Sequence, residues 1–175
     1  ISNAAGRVIV AQDSAFGTGT LALTAGSLES AAGDRAFNNN VTHGGTFIIG
    51  GADKLTFNGT WLNNAGSRTL TVNTAGGVEL AGEVRLSEHA TTARTLTING
   101  TGDVLISGVV SNGTGTGASA LAYTGNGTLT LTNGGNSYTG TTTLNNAAGT
   151  LRLTGAGKLS TGALTVNAGS LSIES

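Results

Sequence analysis

The chain reads as an all-β protein, a parallel β-helix (solenoid) of about eight turns with three short strands in each. Three observations predict it. Apolar residues fall into rows that return every 20–27 residues, which is a solenoid period. Within each short run apolar and polar residues alternate, as in Leu129-Thr130-Leu131, Leu151-Arg152-Leu153 and Leu164-Thr165-Val166, so each run is a strand with one face inside. The runs are separated by corners rich in Gly, Asn, Ser and Thr, the residues that make tight turns.

The first row of inward residues is Val8, Leu28, Leu55, Val78, Val104, Leu129, Leu151 and Leu171. The second is Leu21, Phe47, Leu70, Leu96, Leu121, Leu144 and Leu164, each 7 or 8 residues before a member of the first. A more ragged third row is Phe16, Val41, Leu62, Leu86, Val109, Tyr138 and Leu159. Thr71, Thr97, Thr130, Arg152, Thr165 and Ser172 are expected to face outward, where β-branched Thr suits a solvated strand. Each buried Leu or Val adds roughly 1.5–3 kcal/mol. Eight turns at ~4.8 Å each make a rod on the order of 35–40 Å long.

Asn-Gly pairs at Asn58-Gly59, Asn99-Gly100, Asn112-Gly113 and Asn126-Gly127 mark corners where the chain takes positive φ. Asn-Gly also signals antiparallel hairpins, but the sustained long period favours the solenoid. Each of the four is followed by Thr, giving N-x-T sequons, a pattern too simple to assign glycosylation. Residues 29–46, 87–95 and 111–119 break the regularity and are expected as loops leaving the rod.

Composition narrows the function classes. The 175 residues carry a net charge of −1 and only 10% are charged, so an electrostatic partner such as nucleic acid or an anionic membrane is not expected. Hydrophobic residues make up 38% and are regularly spaced, which is not a disordered composition. Thirty Gly without a three-residue period exclude collagen, and the lack of Cys excludes disulfides and thiolate metal sites. No run is long enough for a membrane-spanning helix. The chain starts at Ile1 with no basic-plus-apolar leader, so a processed product or an excised segment of a longer protein is expected.

Chemistry-bearing residues are few. His43 and His89 are the only histidines, and His89 follows Glu88 with Glu79 and Glu83 shortly before it. A metal or acid–base site needs several of these to converge; the plainer reading is a solvated face in which Arg85 or Arg94 pairs with them. Glu29 and Glu79 are the outward acids of the strand rows, two turns apart, while Asp13, Asp34, Asp53 and Asp103 fall in corners. That scatter does not offer the paired carboxylates or calcium ligands of polysaccharide-cleaving β-helices. Gly113-Thr114-Gly115-Thr116-Gly117 is not a phosphate loop, since no Lys and no helix follows. Trp61 and Tyr123 can stack on a sugar or pack inside, and packing is the commoner role; Phe16, Phe47, Phe57 and Tyr138 fit core or corner packing. No catalytic, cofactor-binding or metal-binding residue is assigned; the expectation is a non-enzyme with no cofactor.

Residues 127–153 resemble the passenger-associated repeat of bacterial autotransporters. Gly127, Thr128, Leu129 and Leu131 match its start, Asn136, Tyr138, Gly140 and Thr142 its middle, and Leu144, Gly149, Leu151 and Leu153 its end. Residues 163–173 match in part, and those before Gly127 only in general style. The resemblance implies a right-handed β-helix, exported and displayed at the bacterial outer-membrane surface or released outside the cell. The expected function is a structural stalk or surface-display segment, with residues 1–175 as one domain of a longer rod or a stacking subunit. Two alternatives stay open: a filament subunit that assembles head to tail, since no capping helix protects either end, and a glycan-binding adhesin or polysaccharide-active enzyme. The expected partners are a second copy at the rod's ends, or a glycan or protein on a host or environmental surface. Nucleic acid and membrane insertion by this segment are not expected.

Overall fold

The computed structural model describes residues 1–174; Ser175, the last residue of the expected domain, lies outside the described residues. The chain winds as a parallel β-solenoid of about eight turns, as in a right-handed β-helix, with no helical element among the described residues. Face one stacks Ser2–Asn3, Leu21–Leu23, Val41–His43, Trp61–Asn63, Val84–Arg85 and Val110–Ser111. Face two stacks Arg7–Val10, Ser27–Ser30, Phe47–Ile49, Arg68–Val72, Thr95–Gly100 and Ala120–Tyr123. Face three stacks Arg35–Phe37, Leu55–Phe57, Val78–Leu80, Val104–Ile106 and Thr128–Leu131. In the last two turns the strands Thr142–Thr154 and Leu164–Glu174 run round the corner and serve faces two and three together.

All the pairings are parallel, and stacked partners lie from 20 residues apart (Val41 and Trp61) to 28 (Arg68 and Leu96). The alternation read from the sequence orients the side chains. Leu55, Val78, Val104, Leu129 and Leu151 stack in one buried column of face three, and Phe37, Phe57, Leu80, Ile106 and Leu131 in the next. Phe16 lies on Phe37 and Phe37 on Phe57, with ring centroids 5.0 and 5.5 Å apart. One apolar cluster runs unbroken from Val10 to Leu153.

Glycine makes one corner possible. Gly59, Gly82 and Gly108 stack at the passage from face three to face one, where a Cβ on Gly82 would meet the Gly59 carbonyl oxygen at 2.1 Å and one on Gly108 the Gly82 oxygen at 1.9 Å. At these three rungs the turns approach too closely for a side chain to stand between them.

The structure corrects several row assignments. Val8 and Leu28 belong to face two and Leu21 to face one, because Val8 pairs with Leu28, Leu28 with Ile49, and Leu21 with Val41. The cause is that the step from face one to face two (Leu21 to Leu28) is about as long as that from two to three (Phe47 to Leu55), so spacing alone does not separate the faces. On face one Trp61 and Val110 point inward rather than Leu62 and Val109. A shift of one residue reverses every side of a strand, and two adjacent apolar residues leave that choice open. Residues 29–46 are not a loop: Arg35–Phe37 and Val41–His43 are regular strands, each with one apolar anchor among polar neighbours. Residues 87–94 and 112–119 do lack strand structure and form successive corners stacked on one another, with the Thr116 amide donating to the Ala90 carbonyl at 2.8 Å.

Candidate functional site

The charged residues singled out by the sequence do not converge. Glu79 stands on the outer side of face three, where Lys54 Nζ donates to its Oε2 at 2.6 Å and Ser107 Oγ to its Oε1 at 2.8 Å. The bond from Lys54 is the main cause that holds this carboxyl below the usual range. Glu83 precedes face one and accepts from Arg85 Nε at 2.8 Å and from Ser111 Oγ at 2.8 Å. Glu29 lies on face two, clamped by Arg7 through two bonds of 2.9 and 2.6 Å. Glu174 is paired with Arg152 in the same bidentate way on face three. All five glutamates, Glu88 included, thus carry a cation partner. Three of the aspartates splice neighbouring turns: Asp13, Asp34 and Asp103 each accept a backbone N–H from the turn above, from Ala36, Lys54 and Thr128. Among the described residues no three of His, Asp and Glu gather closely enough to hold a metal ion.

The most irregular charged cluster lies on the long corner of turn five. Arg94 Nη2 donates to Glu88 Oε1 at 3.1 Å, and both side chains are about three-quarters covered. Burial pushes the Glu88 carboxyl up, but its own backbone amide, Arg94 and the Ala65 amide outweigh that and hold it low. Ala65 has φ +57°, a left-handed conformation that costs an L-residue about 1–2 kcal/mol. Arg68 fastens that corner by donating to the carbonyls of Asn64 and Ala65. His89 is exposed, and its Nδ1 accepts from the Thr91 and Thr92 amides, which leaves the proton on Nε2. Every polar contact here shapes the loop.

Several polar groups sit inside the rod. His43 is wholly buried on face one, stacked between Leu23 and Asn63, with its ring edge-on to Trp61 at 5.4 Å. Neither ring nitrogen closes a hydrogen bond, and Trp61 Nε1 and Asn63 Oδ1 are likewise unpaired. Burial, then the Arg68 charge, pushes the His43 pKa down to about 4, while the nearby Gly45 and Thr69 carbonyls oppose the shift. Trp61 and Tyr123 are both buried, so neither offers a ring to a sugar. Burial, with the Asp103 charge, pushes the Tyr123 hydroxyl up to about 12.

Asn136 and Tyr138 take on a role that spacing alone did not show. In turn seven face one has no strand. The Asn136 side chain replaces it: Oδ1 accepts from the Val110 amide at 2.8 Å and Nδ2 donates to the Lys158 carbonyl at 2.7 Å, joining turn six to turn eight. Tyr138 fills the core below it, with its hydroxyl 2.6 Å from Thr142 Oγ1.

On face three, Gly76 and Gly77 leave a shallow depression of about 270 Å³, bordered by Lys54, Asp103, Leu105, Thr130 and Arg152. Lys54 and Arg152 are already engaged by glutamates, and Asp103 accepts the Thr128 amide, so each charged group bordering the depression already has a partner. No family model, curated protein or solved structure matches the chain.

Proposed function

We propose that the chain is a structural stalk, the surface-display segment of an exported, autotransporter-like cell-surface protein, and that it performs no chemistry. The observation that carries this reading is the single apolar core running unbroken from Val10 to Leu153 through parallel, in-register turns. A rod of that kind resists bending, because tilting one turn against the next breaks a whole rung of backbone bonds and opens the column beneath it. Its five glutamates are each paired with a cation and three of its aspartates with the ladder, which keeps most of the surface charge compensated. The repeat resemblance of residues 127–153 supplies the exported context.

The test removes one register-complete turn, residues 41–60, so that Trp61 takes the place of Val41 over Leu21. A stalk stays folded and shortens by ~4.8 Å in small-angle scattering, and an epitope displayed on it moves inward by the same amount. A saturable glycan-array signal, or turnover in a polysaccharide hydrolase or lyase screen, would overturn the reading.

End-to-end stacking is a second reading with its own observation. In turn eight, Leu164, Val166, Leu171 and Ile173 are exposed, although the residues they stack on in turn seven, Thr142, Leu144, Leu151 and Leu153, are buried. This edge accepts one more turn, from the same polypeptide or from a second copy. Electron microscopy over a concentration series separates the cases: fibres support assembly, and single short rods at every concentration exclude it.

A further inference from the structure

The chain holds five Asn-Gly pairs, at Asn58, Asn99, Asn112, Asn126 and Asn133. Asn-Gly is the dipeptide most open to ring closure, because glycine leaves the attacking amide unshielded. Four of the five side chains are held by a neighbouring turn. Asn58 Nδ2 donates to Asn38 Oδ1 at 2.9 Å. Asn112 Nδ2 donates to Thr139 Oγ1 at 2.9 Å, while its Oδ1 accepts from the Ser119 and Thr139 amides. Asn126 Oδ1 accepts from Asn146 Nδ2 at 2.6 Å, and Asn133 Nδ2 donates to the Ser107 carbonyl at 3.0 Å.

Asn99 differs. It is exposed at the end of Thr95–Gly100, and its side chain bonds only to its own successor, the Gly100 amide donating to Oδ1 at 2.7 Å. That contact sets the Gly100 nitrogen against the carboxamide whose Cγ it would attack. Gly100 has φ +107°, and a Cβ there would meet the Val72 carbonyl oxygen at 2.1 Å, so the stacking of turns four and five keeps glycine in this place.

We propose that Asn99 is a self-modification site: Gly100 N closes on Asn99 Cγ, and water opens the ring to aspartate and isoaspartate. In the closure the N–Cγ bond forms and the Cγ–Nδ2 bond breaks, and the amide proton leaves with Nδ2 as ammonia. Water then adds at one of the two ring carbonyls. Opening at Cγ gives aspartate; opening at the backbone carbonyl gives isoaspartate, with the chain rerouted through Cγ. Either product adds a negative charge. Isoaspartate also lengthens the backbone by one methylene just before the Gly100 carbonyl, which accepts from the Asn126 amide at 2.7 Å. The modification is thus a slow clock acting on the joint between turns five and six.

The test is incubation of the folded protein at mildly alkaline pH, followed by peptide mapping with electron-transfer fragmentation, which separates the two products. The same peptides, excised and incubated free, give each site's intrinsic rate. The folded protein converts Asn99 at close to its free-peptide rate. Asn58, Asn112, Asn126 and Asn133 convert at least about tenfold more slowly than their own peptides, the factor expected when one net hydrogen bond of ~1.4 kcal/mol must break first. Asn99→Gln, which closes a ring far less readily, loses the product at that site and keeps the fold. The proposal is overturned if Asn99 is protected as strongly as Asn112, or if the four held sites convert as fast as Asn99.

Discussion

Face three and face one are built on different principles although they enclose the same core. Face three is two unbroken columns of Leu, Val, Ile and Phe from turn to turn. Face one buries Asn3, His43 and Asn63 beside Trp61, adjoins the long corners of turns five and six, and in turn seven gives way to the Asn136 side chain. The regular face supplies cohesion, because an apolar column has no polar group to satisfy and each rung repeats the last. The irregular face holds the groups whose state can change, since a buried polar side chain responds to protons and to the loss of its partner.

The largest expected effect sharpens the contrast from the regular side. Leu129→Ala removes a fully buried rung between Val104 and Leu151, and should lower unfolding free energy by about 3–4 kcal/mol in urea titration. A loss under ~1 kcal/mol would mean that the columns of face three do not carry the rod.

The next effect tests face one through pH. His43 titrates near its ordinary 6.5 when unfolded and near 4 when folded. Its neutral form is favoured in the fold, so this contribution is complete above pH 6.5 and is lost as pH falls toward 4. Over that window stability should drop by about 3 kcal/mol. His43→Leu, which continues the chemistry of Leu23 beneath it, should flatten the slope between these pH values and leave neutral-pH stability unchanged or higher. An unchanged slope in the variant would assign the acid sensitivity to other groups.

Asn136→Ala leaves the Val110 amide and the Lys158 carbonyl without their bonds, and should cost about 2 kcal/mol by thermal or urea denaturation. Hydrogen exchange gives a second readout, with the Val110 amide losing protection while the face-three amides keep theirs. Ala65→Gly has the smallest effect and the opposite sign. Relief of the left-handed conformation should raise stability by ~0.5–1 kcal/mol, and a decrease would show that the Ala65 methyl is needed where it is.

The legibility of the two faces follows the same division. Face three from Leu55 onward is legible because a buried column there demands an apolar residue at every rung. On face two, by contrast, the row Phe47, Leu70, Leu96, Leu121, Leu144 names inward residues but joins two columns, since Leu70 stacks on Ile98 and Leu144 on Tyr123. Face one is ambiguous in sequence at Trp61 and Val110, where two adjacent apolar residues compete for the inside. Phe37 falls in no row and Val41 is only a member of the ragged third row inside the expected loop 29–46, because one anchor in a polar run carries no alternation to detect. The splicing role of Asn136 had no spacing signal, since a side chain that replaces a strand is seen only against the turns above and below it. Arg85 and Arg94 are legible as partners for the nearby Glu83 and Glu88, whereas Lys54, 25 residues from Glu79, is brought to it only by the winding.

Residue order was enough for the solenoid, the turn length and the inward column of face three from Leu55 onward, because parallel stacking imposes the same local pattern on successive turns. It was also enough to show that no cluster of ligands or nucleophiles is contiguous in the chain. The assignment of strands to faces, the burial of His43 without a partner and the isolation of Asn99 among five Asn-Gly pairs were decided by stacking. Each depends on what the adjacent turn offers at the same height, and the corners that set that height vary in length.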